Sequence, residues 1–113
     1  MSLGNEQELF MRMLPRLLDA IHNLGYGIRG GDLFRDPRSH GSIGTKGVYG
    51  HRRSAHKLKL AIDLYLTKDG VYLEYDSADY AHSECHDFWD TLGGAERIPH
   101  DLNHYSIEYN GMR

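Results

Sequence analysis

Two short segments carry the residue types that hydrolytic chemistry needs. Ser54-Ala55-His56 runs through Leu60 to Ala61-Ile62-Asp63, and Asp101-Leu102-Asn103-His104 follows later in the chain. They supply two imidazoles, a carboxylate set among apolar residues, and a second carboxylate three positions before a histidine. Those are the components of a hydrolytic zinc site, because catalytic zinc takes three N/O protein ligands, keeps a fourth position for water and works beside a base.

Each residue also has an ordinary explanation. Asp63 lies between Ile62 and Leu64, where an unpaired buried charge would be costly, so it should meet a cation, a metal or several donors. Otherwise it belongs to the solvated face of an edge strand. In a strand it shares a face with Ala61 and Tyr65, not with Leu60, Ile62, Leu64 and Leu66. His56 and Asp63 are seven residues apart, which on one flat strand means ~23 Å and opposite faces. As co-ligands they therefore require the chain to turn between Lys57 and Leu60. A tight turn from Asp101 to His104 would bring that carboxylate to the same metal, where it can carry a proton; the alternative is turn chemistry, which favours Asp for its own backbone hydrogen bonds.

The chain has eight histidines. His104 is preferred to His100 as the last ligand because it opens a strand, whose backbone is held rigidly, whereas His100 follows Pro99 in a turn. His22, His40, His51, His82 and His86 read as surface or capping residues.

The elements that must position these groups follow from periodicity. Leu9, Phe10, Met13, Leu14, Leu17, Leu18 and Ile21 form one stripe of a helix over about residues 5–23, with a kink or restart expected at Pro15 and a stop at Gly25. Gly30 to Arg53, rich in Gly, Ser, Arg and His, reads as a long functional loop. Leu60 to Thr67, a turn at Lys68-Asp69-Gly70 and Val71-Tyr72-Leu73 predict a hairpin. Cys85, Phe88, Trp89 and Leu92 fit a short helix ending at Gly93-Gly94. Tyr105, Ile107 and Tyr109 alternate with Ser106 and Glu108 as in a half-buried strand. The expected architecture is α+β: a single domain over residues 1–113, with a mostly antiparallel sheet packed by two or three helices.

Composition excludes several classes. The 113 residues are 40% hydrophobic and 26% charged, as in globular domains, and no apolar run reaches the ~18 residues of a membrane helix. A net charge of -3 argues against nucleic acid as partner. The local basic patch of Lys46, Arg52, Arg53, Lys57 and Lys59 suits a solvated loop or an anionic polymer such as a wall glycopeptide. The one cysteine, Cys85, permits no internal disulfide and reads as a small buried apolar residue. No signal-peptide pattern opens the chain, which predicts cytoplasmic synthesis.

The segment Ser54-Ala55-His56-Lys57-Leu58-Lys59-Leu60-Ala61-Ile62-Asp63 resembles the S-x-H-x-x-G-x-A-x-D motif of the zinc D-alanyl-D-alanine metallopeptidases, and Asp101-x-x-His104 resembles their later acidic-x-x-His motif. Gly25-Tyr26 followed by Gly31-Asp32-Leu33-Phe34-Arg35 is similar to the segment that ends in the family's active-site arginine. The span from Gly25 to Arg113, with the Lys68-Asp69-Gly70 hairpin and Asn110-Gly111, is most similar to the phage endolysin branch that cleaves L-alanyl-D-glutamate bonds. One position departs: Lys59 stands where the motif has glycine.

The resemblance implies a Hedgehog/DD-peptidase-like fold and Zn2+ bound by His56, Asp63 and His104. It further implies Asp101 as general base and acid, and Arg35 polarising the carbonyl or holding a substrate carboxylate. Arg29, Arg38, Arg52 and Arg53 are rivals to Arg35 by proximity. Ser54 and Tyr105 are expected beside Arg35 as substrate contacts; Tyr49, Tyr65 and Tyr105 are candidates to line the cleft, although aromatic residues at such places more often serve packing. The implied partner is the stem peptide of bacterial peptidoglycan, reached through a holin-type pore, with no membrane insertion. A D,D-carboxypeptidase or dipeptidase of the same family, or a non-catalytic wall-binding module with a structural metal, are the alternatives.

Overall fold

In the computed structural model, which describes residues 2–34 and 54–113, helix α1 spans Leu3–Asn23, with the Ser2 side chain accepting from the Asn5 N–H as N-cap. Phe10, Met13, Leu14, Leu17 and Ile21 form its buried stripe. The helix runs through Pro15 as one element. The hydrogen bond that proline removes belongs to the Met11 carbonyl four residues back, and Met11 is 52% exposed, so solvent can take the acceptor and the expected restart is not needed.

Strand β1 (Gly27–Gly30) follows, and after a 3-10 turn at Ala55–Leu58 come β2 (Ala61–Lys68) and β3 (Val71–Tyr72). The β2–β3 hairpin turns at Asp69 and Gly70, both with positive φ (53° and 81°), the two-residue turn whose twist matches paired strands. Helix α2 (Tyr75–Thr91) and the three-residue β4 (His104–Ser106) complete the domain. All pairings are antiparallel, with β2 central: β1 lies on one side, β3 and β4 on the other. The result is a single α+β domain.

Three elements differ from expectation, the first being β1, a strand at Gly27–Gly30 that the sequence pattern does not predict. Helix α2 is much longer than the segment around Phe88, because Ala78, Ala81, His82, Cys85, His86 and Trp89 bury at helical spacing. Ala, His and Cys make that stripe weakly apolar in the sequence. His82 and His86 are thus core residues, 2% and 3% exposed, and not surface groups. Strand β4 is buried on both faces instead of one, with His104, Tyr105 and Ser106 all at 4% exposure or less.

One sheet face packs on the helices. Leu64 and Leu66 of β2 join Tyr105, Trp89 and the α1 stripe in the core, and the Phe10 and Trp89 rings meet edge to face at 5.9 Å. The opposite face carries Asp63 and His104.

Candidate metal centre

Three elements bring the expected ligands together. Ser54 caps the 3-10 turn, its Oγ accepting from the His56 N–H at 3.2 Å. Lys59 then adopts a left-handed conformation (φ 59°, ψ 36°), and the Leu60 N–H returns to the Ala55 carbonyl at 3.1 Å. This is the required turn between Lys57 and Leu60, and it uses positive φ at the position where the resembling motif has glycine. Lysine there is unfavourable by ~1–2 kcal/mol relative to an ordinary backbone.

Past the turn, β2 alternates Leu64 and Leu66 into the core and leaves Asp63 on the other face. Asp63 stands directly opposite His104 in the β2–β4 ladder, and paired residues share a face. The tight turn before β4 is present: the His104 N–H donates to the Asp101 carbonyl at 3.2 Å.

The geometry is close. His56 Nε2 lies 3.1 Å from Asp63 Oδ1 and 3.2 Å from His104 Nδ1, and His104 Nδ1 lies 3.7 Å from Asp63 Oδ1. Ligands on a tetrahedral ion at ~2.0–2.1 Å stand ~3.3 Å from one another, so the three atoms form one face of such a shell. The other ring nitrogen of His56, Nδ1, lies 3.4 Å from the Leu33 carbonyl. Donation there leaves the Nε2 lone pair free to point inward, the usual second hydrogen bond of a metal-bound histidine. The Asp63 N–H donates to the Asp32 carbonyl at 2.9 Å and its carbonyl accepts from the Gly31 N–H at 2.8 Å, so residues 31–33 flank the site.

Burial alone would raise the Asp63 carboxyl, but with no ion in place the hydrogen bonds of His104 and His56 to it, and their charge, outweigh burial and hold it well below the usual carboxylate range. The centre is therefore two imidazoles and an ionised carboxylate, buried except for the carboxylate edge. Buried and without a hydrogen-bond partner among the described residues, His104 Nε2 is the nitrogen left over when Nδ1 faces the site. These residues can hold a metal ion.

No family model, curated protein or solved structure matches the chain. What the centre can do rests on its own atoms.

The other expected site residues fall in different places. Asp101 Oδ2 is 3.8 Å from His104 Nδ1, with half its side chain exposed, so it sits at the rim on the His104 side. His100 is exposed, in a left-handed conformation, and apart from the cluster. Ser54 is 6% exposed and acts through the His56 turn. Tyr105 does not face a cleft: it has no exposed surface, its ring stacks on His86 at 4.2 Å, and its hydroxyl meets His82 Nδ1 at 2.6 Å. Strand alternation sends it to the face opposite His104, so its role is packing. Tyr65 stands 46% exposed on the ligand face. Arg35, Arg38, Tyr49, Arg52, Arg53, His40 and His51 lie outside the described residues.

A buttress behind β4 is the feature least visible in the sequence. The Trp89 indole donates to the Ser106 carbonyl at 2.8 Å, and the Ala95 N–H donates to the same carbonyl at 2.8 Å. The buried stripe of α2 is its only signal.

Proposed function

We propose that the protein is a zinc-dependent peptidase that hydrolyses the stem peptide of bacterial peptidoglycan at the bond between L-alanine and D-glutamate. The observation that supports it is the convergence of His56 Nε2, Asp63 Oδ1 and His104 Nδ1 within 3.7 Å of one another, with the Asp101 carboxylate at the rim. Two imidazole nitrogens and one carboxylate oxygen are a donor set suited to catalytic zinc, which keeps its fourth corner open. When bound, zinc supplies Lewis acidity and makes water a nucleophile near neutral pH.

The chain's own groups do the rest. With an ion bound, His56 and His104 would present lone pairs to it, and the Leu33 carbonyl is placed to accept from His56 Nδ1. Asp63 is kept ionised by its neighbours. Asp101, half exposed, is free to take a proton from the attacking water and pass it to the departing amine. The choice of peptidoglycan rests on the paired S-x-H…A-x-D and D-x-x-H motifs, and with it Arg35 as the group that steadies the carbonyl. Synthesis in the cytoplasm and passage through a holin-type pore belong to the same proposal.

Mass spectrometry of muropeptides after digestion tests it. New amino-terminal D-glutamate is expected. Loss of terminal D-alanine instead would mean a D,D-carboxypeptidase. Wall binding with no new amino termini would overturn the enzymatic proposal in favour of a binding module with a structural metal.

A further inference from the structure

The sheet face that carries Asp63 and His104 continues past the metal centre. Along β2 it runs from Asp63 to Tyr65 and Thr67, and the register sets Arg29 opposite Tyr65 and Tyr72 opposite Thr67. Tyr65 and Tyr72 are 46% and 49% exposed, and Arg29 is exposed as well.

Arg29 and Tyr72 belong to strands on opposite sides of β2, yet the Arg29 guanidinium carbon lies 4.5 Å from the Tyr72 ring centroid. The arginine therefore reaches across the central strand. No carboxylate among the described residues pairs with it. Between this pair and the metal centre, the Tyr65 ring rests against the backbone of Gly31. A Cβ on Gly31 would stand 2.7 Å from Tyr65 Cε2 and 3.1 Å from Asp63 Cβ, so only glycine leaves room for the ring beside the site.

We infer that Arg29, seated on Tyr72, is an anion subsite that takes a carboxylate of the bound peptide, with Tyr65 as the apolar step between it and the metal centre. The guanidinium is a planar fork suited to bidentate capture of a carboxylate, and contact with an aromatic ring adds attraction while steadying it. Arg29 lies roughly 7–13 Å along the strand from Asp63, two to four residues of extended chain. The α-carboxylate of a γ-linked D-glutamate sits beside the bond to be cut, too near to reach this far. The carboxylate must come from further along the stem, either the free carboxyl terminus or the side chain of a diamino dicarboxylic acid in third position. The inference rests on the stem-peptide proposal for the identity of its ligand.

Binding tests it apart from cleavage. Zinc-loaded protein carrying Asp101→Asn, so that peptide persists, is titrated by NMR with L-Ala-γ-D-Glu-L-Lys and with its carboxyl-terminal amide. A second pair compares that amide with the amide bearing meso-diaminopimelate in place of lysine. The first pair reports the terminal carboxylate and the second the side-chain one. In at least one pair the carboxylate form should bind roughly tenfold tighter or more. Adding Arg29→Gln should equalise that pair, and Arg29→Lys should keep part of the preference. Equal binding in both pairs, or a preference that survives Arg29→Gln, would overturn the subsite. A preference lost with Arg29→Gln, in a protein whose unsubstituted form cuts no wall peptide, would sink the peptidase proposal and leave the subsite standing.

Discussion

His56 Nε2 and His104 Nδ1 face each other at 3.2 Å, each within 3.7 Å of the same Asp63 oxygen. Two ring nitrogens and a carboxylate oxygen at that spacing are placed to share one cation. Ion binding should be linked to folding.

Chelator-stripped protein should therefore melt on the order of 10 °C or more below protein given saturating zinc. His56→Ala and His104→Ala should abolish the zinc-induced rise. Calorimetric scans with and without metal check this, and a rise that persists in both variants would place the ion elsewhere.

Asp101 touches the centre only at its rim, 3.8 Å from His104 Nδ1. Asp101→Asn should keep near-stoichiometric zinc by elemental analysis while lowering peptidoglycan cleavage by about 10²-fold or more. Unchanged turnover would mean that the proton carrier has been assigned to the wrong residue.

Lys59 holds a left-handed backbone at the turn that aims His56. Lys59→Gly should leave metal content intact and be neutral to stabilising by up to ~1 kcal/mol, since glycine relieves the strain but frees the unfolded chain. Lys59→Val, β-branched and ill suited to positive φ, should lower both melting temperature and zinc occupancy. Urea denaturation of the two variants separates these outcomes.

Behind β4, the Trp89 ring lies against Gly94 closely enough that an added Cβ would overlap it. The indole is fully buried and bonded to Ser106, so it cannot swing aside. Gly94→Ala should destabilise the fold by about 1–3 kcal/mol, read as a lower urea midpoint.

His82 and His86 supply an acid limit. Burial, with neighbouring positive charge, lowers each from its ordinary value to about 4. Unfolding restores pKa values near 6.5, so between pH 4 and 6.5 the unfolded chain binds more protons. Stability is then complete above pH 6.5 and falls as pH drops toward 4, by on the order of 3 kcal/mol for each ring. Melts across that range should show the fall. His86→Phe, which keeps a ring stacked on Tyr105, should make it shallower, and an unchanged slope would exclude His86 as a source.

The candidate ligand set is legible in the sequence because a carboxylate between Ile62 and Leu64 has to meet a cation or donors, and because two ligands seven residues apart demand a turn. The hairpin at Asp69-Gly70 and the α1 stripe are legible for the same local reason. Helix α2 is legible only in its last turns, around Cys85, Phe88 and Trp89, because the rest of its inner stripe relies on Ala and His, whose burial depends on what packs against them. Tyr105 misleads in the same way: its position next to His104 suggests the site, but adjacent strand residues point to opposite faces, and its hydroxyl finds His82 in the core.

That alternation ties packing to chemistry without slack. His104 and Tyr105 are neighbours on a strand three residues long, one turned to the ion pocket and the other clamped by His86 and Trp89. The inner stripe of α2 thus works as a vice whose jaw position sets where the last imidazole sits, and a slip of the helix by a fraction of an ångström would be felt first as a loosened grip on any cation held there.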